Sequence, residues 1–235
     1  QRDLNTALRM LEILQQGGVE IHQANANFTA DGVEYPQGTY VILMAQPFRA
    51  HAKDLLEVQT YPKRRAGPGA PPERPYDIAG WTLPLQMGVK TITVVNAFEA
   101  DVTLVKKIPK AQGKLLMVPE PVAYLFKNQT NAETIAINRL LKTGEYQLLW
   151  WPQEISVRNQ LFPRGSIIIQ TMKIPMQAST DLQELAESLG VEIYALDHQP
   201  NDPTARLRQP RLGLYKSWVA NVDEGWPRWV LEQHE

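Results

Sequence analysis

Apolar residues recur along this chain with two periods. Over residues 3–16, Leu4, Leu8, Leu11, Ile13 and Leu14 form one face of a 3.6-residue helix, which Asp3 or Asn5 can cap and which Gly17 and Gly18 end. The same period predicts helices over residues 50–56, 83–87, 132–142, 181–189 and 223–233. Gly144 and Gly190 stop two of these, and Pro84 is tolerated in a first turn. Short apolar or alternating runs at 19–21, 40–44, 91–95, 102–105, 122–126, 146–151, 166–170, 191–196 and 212–215 read as strands. The unbroken run 40–44 has the pattern of a strand buried on both faces. Asp31 with Gly32, and Pro36 with Gln37 and Gly38, are turn signals on either side of residues 33–35. Helices alternating with short strands predict an α/β protein, with mixed sheet or sheets and flanking helices.

Two segments break the pattern. Residues 61–76 hold Pro62, Pro68, Pro71, Pro72 and Pro75 with Gly67 and Gly69, a composition closed to helix interiors and central strands, so a long surface loop is expected. Residues 201–210 read as a polar, proline-punctuated linker. The halves also match at a constant offset of 127 residues: Tyr35, Pro36, Gly38 and Thr39 against Phe162, Pro163, Gly165 and Ser166, Gly17 against Gly144, and Asp54 with Leu55 against Asp181 with Leu182. The organisation expected is two pseudo-repeated halves, residues 1–110 (with the loop 61–76) and 111–209. A terminal strand and helix follow over 210–235.

Composition narrows the function classes. Of 235 residues, 43% are hydrophobic and 21% charged, which suits a packed core rather than a disordered chain. The apolar runs, such as 41–45 and 167–169, are far too short to cross a bilayer. Lys and Arg total 24 against 25 Asp and Glu, a net charge of −1, so there is no overall basic field for nucleic acid. With no cysteine, disulfides, thiolate metal sites and cysteine nucleophiles are excluded. Residue 1 is Gln and no signal-peptide pattern opens the chain, which reads as a piece of a longer polypeptide.

Motif chemistry is sparse. His22, His51, His198 and His234 form no H-E-x-x-H pattern. The nearest metal-like spacing is His51 with Asp54, which reads as a solvated helix face, and Asp197 with His198 reads as a loop pair. No nucleophile elbow or phosphate loop occurs, and Asp223 with Glu224 suits a helix start. No catalytic, cofactor or metal residue is assigned. The candidate binding surface is Lys63, Arg64, Arg65, Arg74, Tyr76 and Trp81, which could take an anion, a peptide or a glycan. The six tryptophans, Trp81, Trp150, Trp151, Trp218, Trp226 and Trp229, either stack on a ligand or fill core and interface. The area a tryptophan buries favours the second. Trp81 and Trp226, each after a glycine and an aspartate at a helix start, are expected to be largely buried.

Longer strings carry a resemblance. GTYVILMAQPFRAHAK (38–53) followed by Tyr61 and Pro62, PYDIAGWTLPLQMG (75–88), PRLGLY (210–215) and DEGW (223–226) together resemble the region after the catalytic domain in bacterial proteins related to carboxypeptidase A-type zinc carboxypeptidases. In those proteins a class I glutamine amidotransferase-like domain begins near the Pro-Arg-x-Gly-x-Tyr motif. The resemblance implies a non-catalytic accessory region that supports or positions the peptidase in cis. Its partners would be the peptidase and amidotransferase-like domains, and its location periplasmic or secreted. Zinc is implied only in the upstream peptidase domain: no His-x-x-Glu pair occurs here, and no cysteine for an amidotransferase triad. The alternative is an independent peptide- or glycan-binding module using the 61–76 loop and nearby aromatics.

Overall fold

A carboxylate sets the first helix. Asp3 accepts the Thr6 N–H at 2.9 Å and the Thr6 hydroxyl at 2.8 Å, so α1 (Leu4–Gln16) begins where a side chain satisfies an orphan amide. The computed structural model describes residues 3–74, 80, 82–171, 173–198, 205–219 and 221–234. It divides into two compact units, Gln1–Lys110 and Ala111–Glu235, whose helices and mixed sheets give an α/β fold.

In unit 1, α1 buries Ala7, Leu8, Met10, Leu11 and Leu14, while Leu4 of the predicted stripe is exposed and Ile13 half-buried. After it come β1 (His22–Ala24), β2 (Phe28–Ala30), β3 (Val33–Tyr35), β4 (Tyr40–Val41), α2 (Arg49–Leu56), α3 (Leu83–Gln86) and β5 (Val102–Leu104). A three-stranded antiparallel sheet has the order β4-β1-β5. Strands β2 and β3 form a separate hairpin that turns at Asp31 and Gly32, both at positive φ (48° and 74°), as a two-residue turn matching strand twist requires.

Unit 2 contains β6 (Lys114–Leu116), β7 (Ala123–Phe126), α4 (Asn131–Thr143), β8 (Tyr146–Trp150), β9 (Ile155–Val157), β10 (Gln160–Phe162), β11 (Ile167–Thr171), α5 (Pro175–Leu189), β12 (Glu192–Leu196), β13 (Ala205–Arg206) and α6 (Val222–Gln233). A capping box starts α4: Thr130 Oγ1 accepts the Glu133 N–H, and the Glu133 carboxylate accepts the Thr130 N–H at 2.8 Å. The six strands run β13-β8-β11-β7-β12-β6, antiparallel except for β12 with β6. The crossovers β7-α4-β8 and β11-α5-β12 interleave, which is the connectivity of a split βαβ, ferredoxin-like sandwich. One face packs Tyr124, Phe126, Leu148, Ile167, Ile169 and Ile193 with Ala136, Leu140 and Leu182 of α4 and α5. The other packs Leu125, Leu149, Ile168 and Leu196 with Ile155, Val157 and Phe162 of the β9–β10 hairpin.

The same offset of 127 relates elements inside the two units. Adding it to α1 gives the bounds of α4, and adding it to β2 and β3 gives β9 and β10. The pairs His22 with Val41 and Gln23 with Tyr40 become Leu149 with Ile168 and Trp150 with Ile167. Gly38 N–H donates to Ala24 O at 2.8 Å, and Gly165 N–H to Trp151 O at 2.8 Å. Both glycines have positive φ, 86° and 93°, which explains the residue type at this turn. The strands β7 and β12 have no counterpart among the described residues of unit 1.

Several sequence expectations change. The run 40–44 pairs only at Tyr40 and Val41, and Met44 is 40% exposed, because β4 is a sheet edge rather than an inner strand. Val19 and Ile21 are buried as their apolarity demands, yet the named strand begins at His22. Residues 91–95 form no strand: Val95 is 84% exposed, and its N–H is taken by Asp31 Oδ2 at 2.7 Å rather than by a neighbouring strand. Residues 212–215 are also irregular and exposed. Helix α5 starts six residues earlier than the 181–189 pattern, at Pro175, whose missing N–H is harmless at a first helical position. Burial of Trp226 is overturned, since this side chain is 64% exposed; Gly225, with open space around it and no positive φ, is not required by packing. Trp81 lies outside the described residues.

A close approach in unit 2 supplies a stability test. A Cβ on Gly113 would overlap Ala186 O and crowd Val191 N, both backbone atoms with no rotamer to move aside. Gly113→Ala is expected to cost about 3 kcal/mol in urea unfolding. Gly213→Ala, at a glycine with nothing within 4 Å, is expected to leave the midpoint unchanged.

Candidate functional site

The basic loop is solvated and folded on itself. Lys63, Arg64, Arg65 and Arg74 are exposed. Arg65 Nη1 donates to Ala70 O at 2.6 Å, Arg65 bridges Pro72, and the Glu73 N–H donates to Arg64 O at 2.9 Å. The guanidinium of Arg65 is therefore spent partly on holding the loop. Tyr76 and Trp81, the aromatic half of this candidate surface, lie outside the described residues.

The histidines do not converge. The His51 ring lies against Gly17, where a Cβ would strike it, at the C-terminal end of α1. Exposed His198 meets the neighbouring carboxylate of Asp197 through Nδ1 at 2.7 Å, and that hydrogen bond holds the carboxyl below its ordinary range. Among the described residues no three His, Asp or Glu side chains are grouped to hold a metal ion.

One polar cluster had no motif to announce it. Lys173, just past β11, places Nζ 2.7 Å from Glu145 Oε2 and 2.5 Å from Asp181 Oδ2. Asp181 also accepts the Tyr146 hydroxyl at 2.9 Å, and the ammonium sits 5.2 Å from the Tyr146 ring centroid. Three segments distant in sequence, the start of β8, the end of β11 and the second turn of α5, are thus tied by one cation. Asp181 is held below its ordinary range, first by the Lys173 hydrogen bond, and Lys173 is raised by its two carboxylates. Burial, then the hydrogen bond to Asp181, pushes the Tyr146 phenol up to about 12. Each ion in the cluster has a partner within it, and the arrangement clamps secondary structure.

A shallow groove of about 680 Å³ runs along α5, floored by Leu115, Met117, Pro119, Pro121 and Met176. Gln183 and Glu187 on its rim are hydrogen-bonded to each other, and Gln183 Oε1 also accepts the Leu115 N–H at 3.0 Å. Glu184 and Glu187 are the charged residues that line it.

The largest chemical anomaly is the C-terminal segment. Leu212, Tyr215, Val219, Val230 and Leu231 are exposed, as is Trp218, while Trp226 and Trp229 on α6 are 64% and 54% exposed. Those two rings touch each other edge-to-face at a centroid distance of 6.2 Å. Three residues apart on a helix, they share one face, and that face lies open. Asn221 caps the helix at the Asp223 N–H, and Asp223 and Glu224 favour its positive end, so α6 is a helix for local reasons. By contrast Trp151 is buried in unit 2, and Trp150 is half-buried under the Arg164 guanidinium at 5.5 Å. Among the described residues no helix is long and apolar enough to cross a membrane.

No family model, curated protein or solved structure matches this chain.

Two outcomes follow from this geometry. Tyr146 protonation favours the folded state, so its contribution is complete below pH 10 and is lost as pH rises toward 12. Alkaline absorbance titration is expected to show a phenol ionising near 12 that is missing in Tyr146→Phe; Asp181→Asn lowers it only in part, because burial is the larger cause. Trp226→Ala, in turn, is expected to move the isolated chain's unfolding free energy by less than about 0.5 kcal/mol, the range of an exposed site.

Proposed function

We propose that this chain is a non-catalytic accessory region of a bacterial zinc carboxypeptidase-like protein, supporting or positioning the peptidase in cis. The exposed apolar stretch from Leu212 to Leu231, with Trp218, Trp226 and Trp229, carries the reading. A surface rich in Trp, Leu and Val is the kind of surface that a partner covers. The strings PRLGLY and DEGW lie in this stretch, and their resemblance makes that partner an amidotransferase-like domain of the same polypeptide, in a periplasmic or secreted protein. Zinc belongs to the peptidase domain on this reading; no His-x-x-Glu pair occurs in this chain. The shared element bounds and registers at an offset of 127 support an origin of both units by duplication of one βαβ-type block.

The experiment compares the isolated chain with the longer polypeptide. In the isolated chain, iodide is expected to quench tryptophan fluorescence strongly. In the longer protein, the Trp226 and Trp229 contribution is expected to be shielded and shifted to shorter wavelength. Equal quenching in both would reject the accessory reading. So would stoichiometric zinc on the isolated chain after dialysis, accompanied by chelator-sensitive carboxypeptidase activity.

A further inference from the structure

The two sheets differ at one edge. In unit 2, β11 is an inner strand with β8 on one side and β7 on the other, paired through Ile167 with Phe126, Ile168 with Leu125 and Ile169 with Tyr124. In unit 1, β4 stands where the offset of 127 puts β11, and β1 pairs with it in the register of β8. Among the described residues, its other side has no strand in the sheet order β4-β1-β5. We infer that this outer edge of β4, residues 40–43, is a strand-acceptor site for an extended apolar segment that runs antiparallel to it and then enters α1, as β7 enters α4.

Ladder geometry shows which groups would bind. The Ala24 N–H donates to Thr39 O at 2.9 Å, so Thr39 and, two residues on, Val41 face β1. The intervening Tyr40 and Ile42 turn their N–H and C=O groups to the outer side. Tyr40, Val41, Ile42 and Leu43 are half-buried, so their side chains are placed in the unit while the edge stays accessible. Charge and proline are the devices that blunt an edge, and residues 40–46 contain neither. The far edge of unit 2 is treated differently: at β6, Gln183 Oε1 takes the Leu115 N–H and Lys114 pairs with Glu192 at 2.9 Å.

The chemistry of the occupant is read from β7. Ala123, Tyr124, Leu125 and Phe126 are all buried, because a strand in this place is covered on both faces. The segment expected on β4 is likewise short and apolar on both faces, with residues matching Phe126, Leu125 and Tyr124 opposite Tyr40, Val41 and Ile42. In unit 2 only residues 127–130 separate β7 from α4, and the capping residue Thr130 falls at Asp3 under the same offset. Strand addition of this kind draws affinity from main-chain hydrogen bonds and specificity from alternate side chains. A strand tethered beside its site also gains from a high effective concentration.

The test is an extension of the full chain. A copy of residues 119–127 is joined in front of Gln1, which keeps the unit 2 spacing to the helix. A control carries proline at the copies of Tyr124 and Phe126, which removes the ladder donors. In the extended chain, amide exchange at Tyr40 and Ile42 is expected to slow by about tenfold or more, with a higher thermal midpoint. In the control both are expected to stay at the values of the unextended chain. Equal exchange in extension and control would overturn the site. A concentration-dependent dimer of the unextended chain that protects the same two amides would overturn the assigned occupant, because a second copy would then be filling the edge.

Discussion

Three consecutive isoleucines hold unit 2 together. Ile167, Ile168 and Ile169 lie on an inner strand with hydrogen-bonding neighbours on both sides, and all three are essentially excluded from solvent. Successive side chains on a strand point to opposite faces. Ile167 and Ile169 therefore belong to the core under α4 and α5, and Ile168 to the core under the β9–β10 hairpin. A slip of one residue would exchange the two sets, so the register of β8, β11 and β7 and both helical layers are specified together.

Polar groups are placed around that constraint. Lys173 gathers Glu145 and Asp181, with the Tyr146 hydroxyl on the same carboxylate, and so links the ends of β8 and β11 to α5 without entering the apolar layers. The groove along α5 lies beside the edge strand β6 and has rim groups already bonded to one another. What remains unanswered is apolar: the α6 face in one unit, and the outer side of β4 in the other. Both are exposed apolar features of units whose polar groups are otherwise largely paired.

Cations cluster at 63–65, and in the fold Arg65 is partly used on Ala70 O. The tryptophans differ among themselves. Trp151 is buried and Trp226 is not, although the type is the same. Burial depends on whether another layer stands over the helix or strand, which a local pattern does not contain.

Local physics made much of the fold legible in the sequence. Asp3, Gly144 and Gly190 mark helix ends because capping and positive φ involve only a few neighbouring residues, and Leu8, Leu11 and Leu14 of the apolar stripe of α1 are buried. The turn at Asp31 and Gly32 was marked for the same reason. The β9–β10 turn at Arg158 and Asn159 was not, since those residues carry no glycine signal although both adopt positive φ. Tertiary structure alone decided the strand order, the gathering of Glu145, Lys173 and Asp181, and the fate of two similar runs. Residues 167–169 and 40–42 are both apolar runs, but one lies on an inner strand and the other at a sheet edge. The difference lies in β7, a partner remote in sequence from β4's pattern, and hydrogen bonds to a neighbouring strand are made in space rather than along the chain.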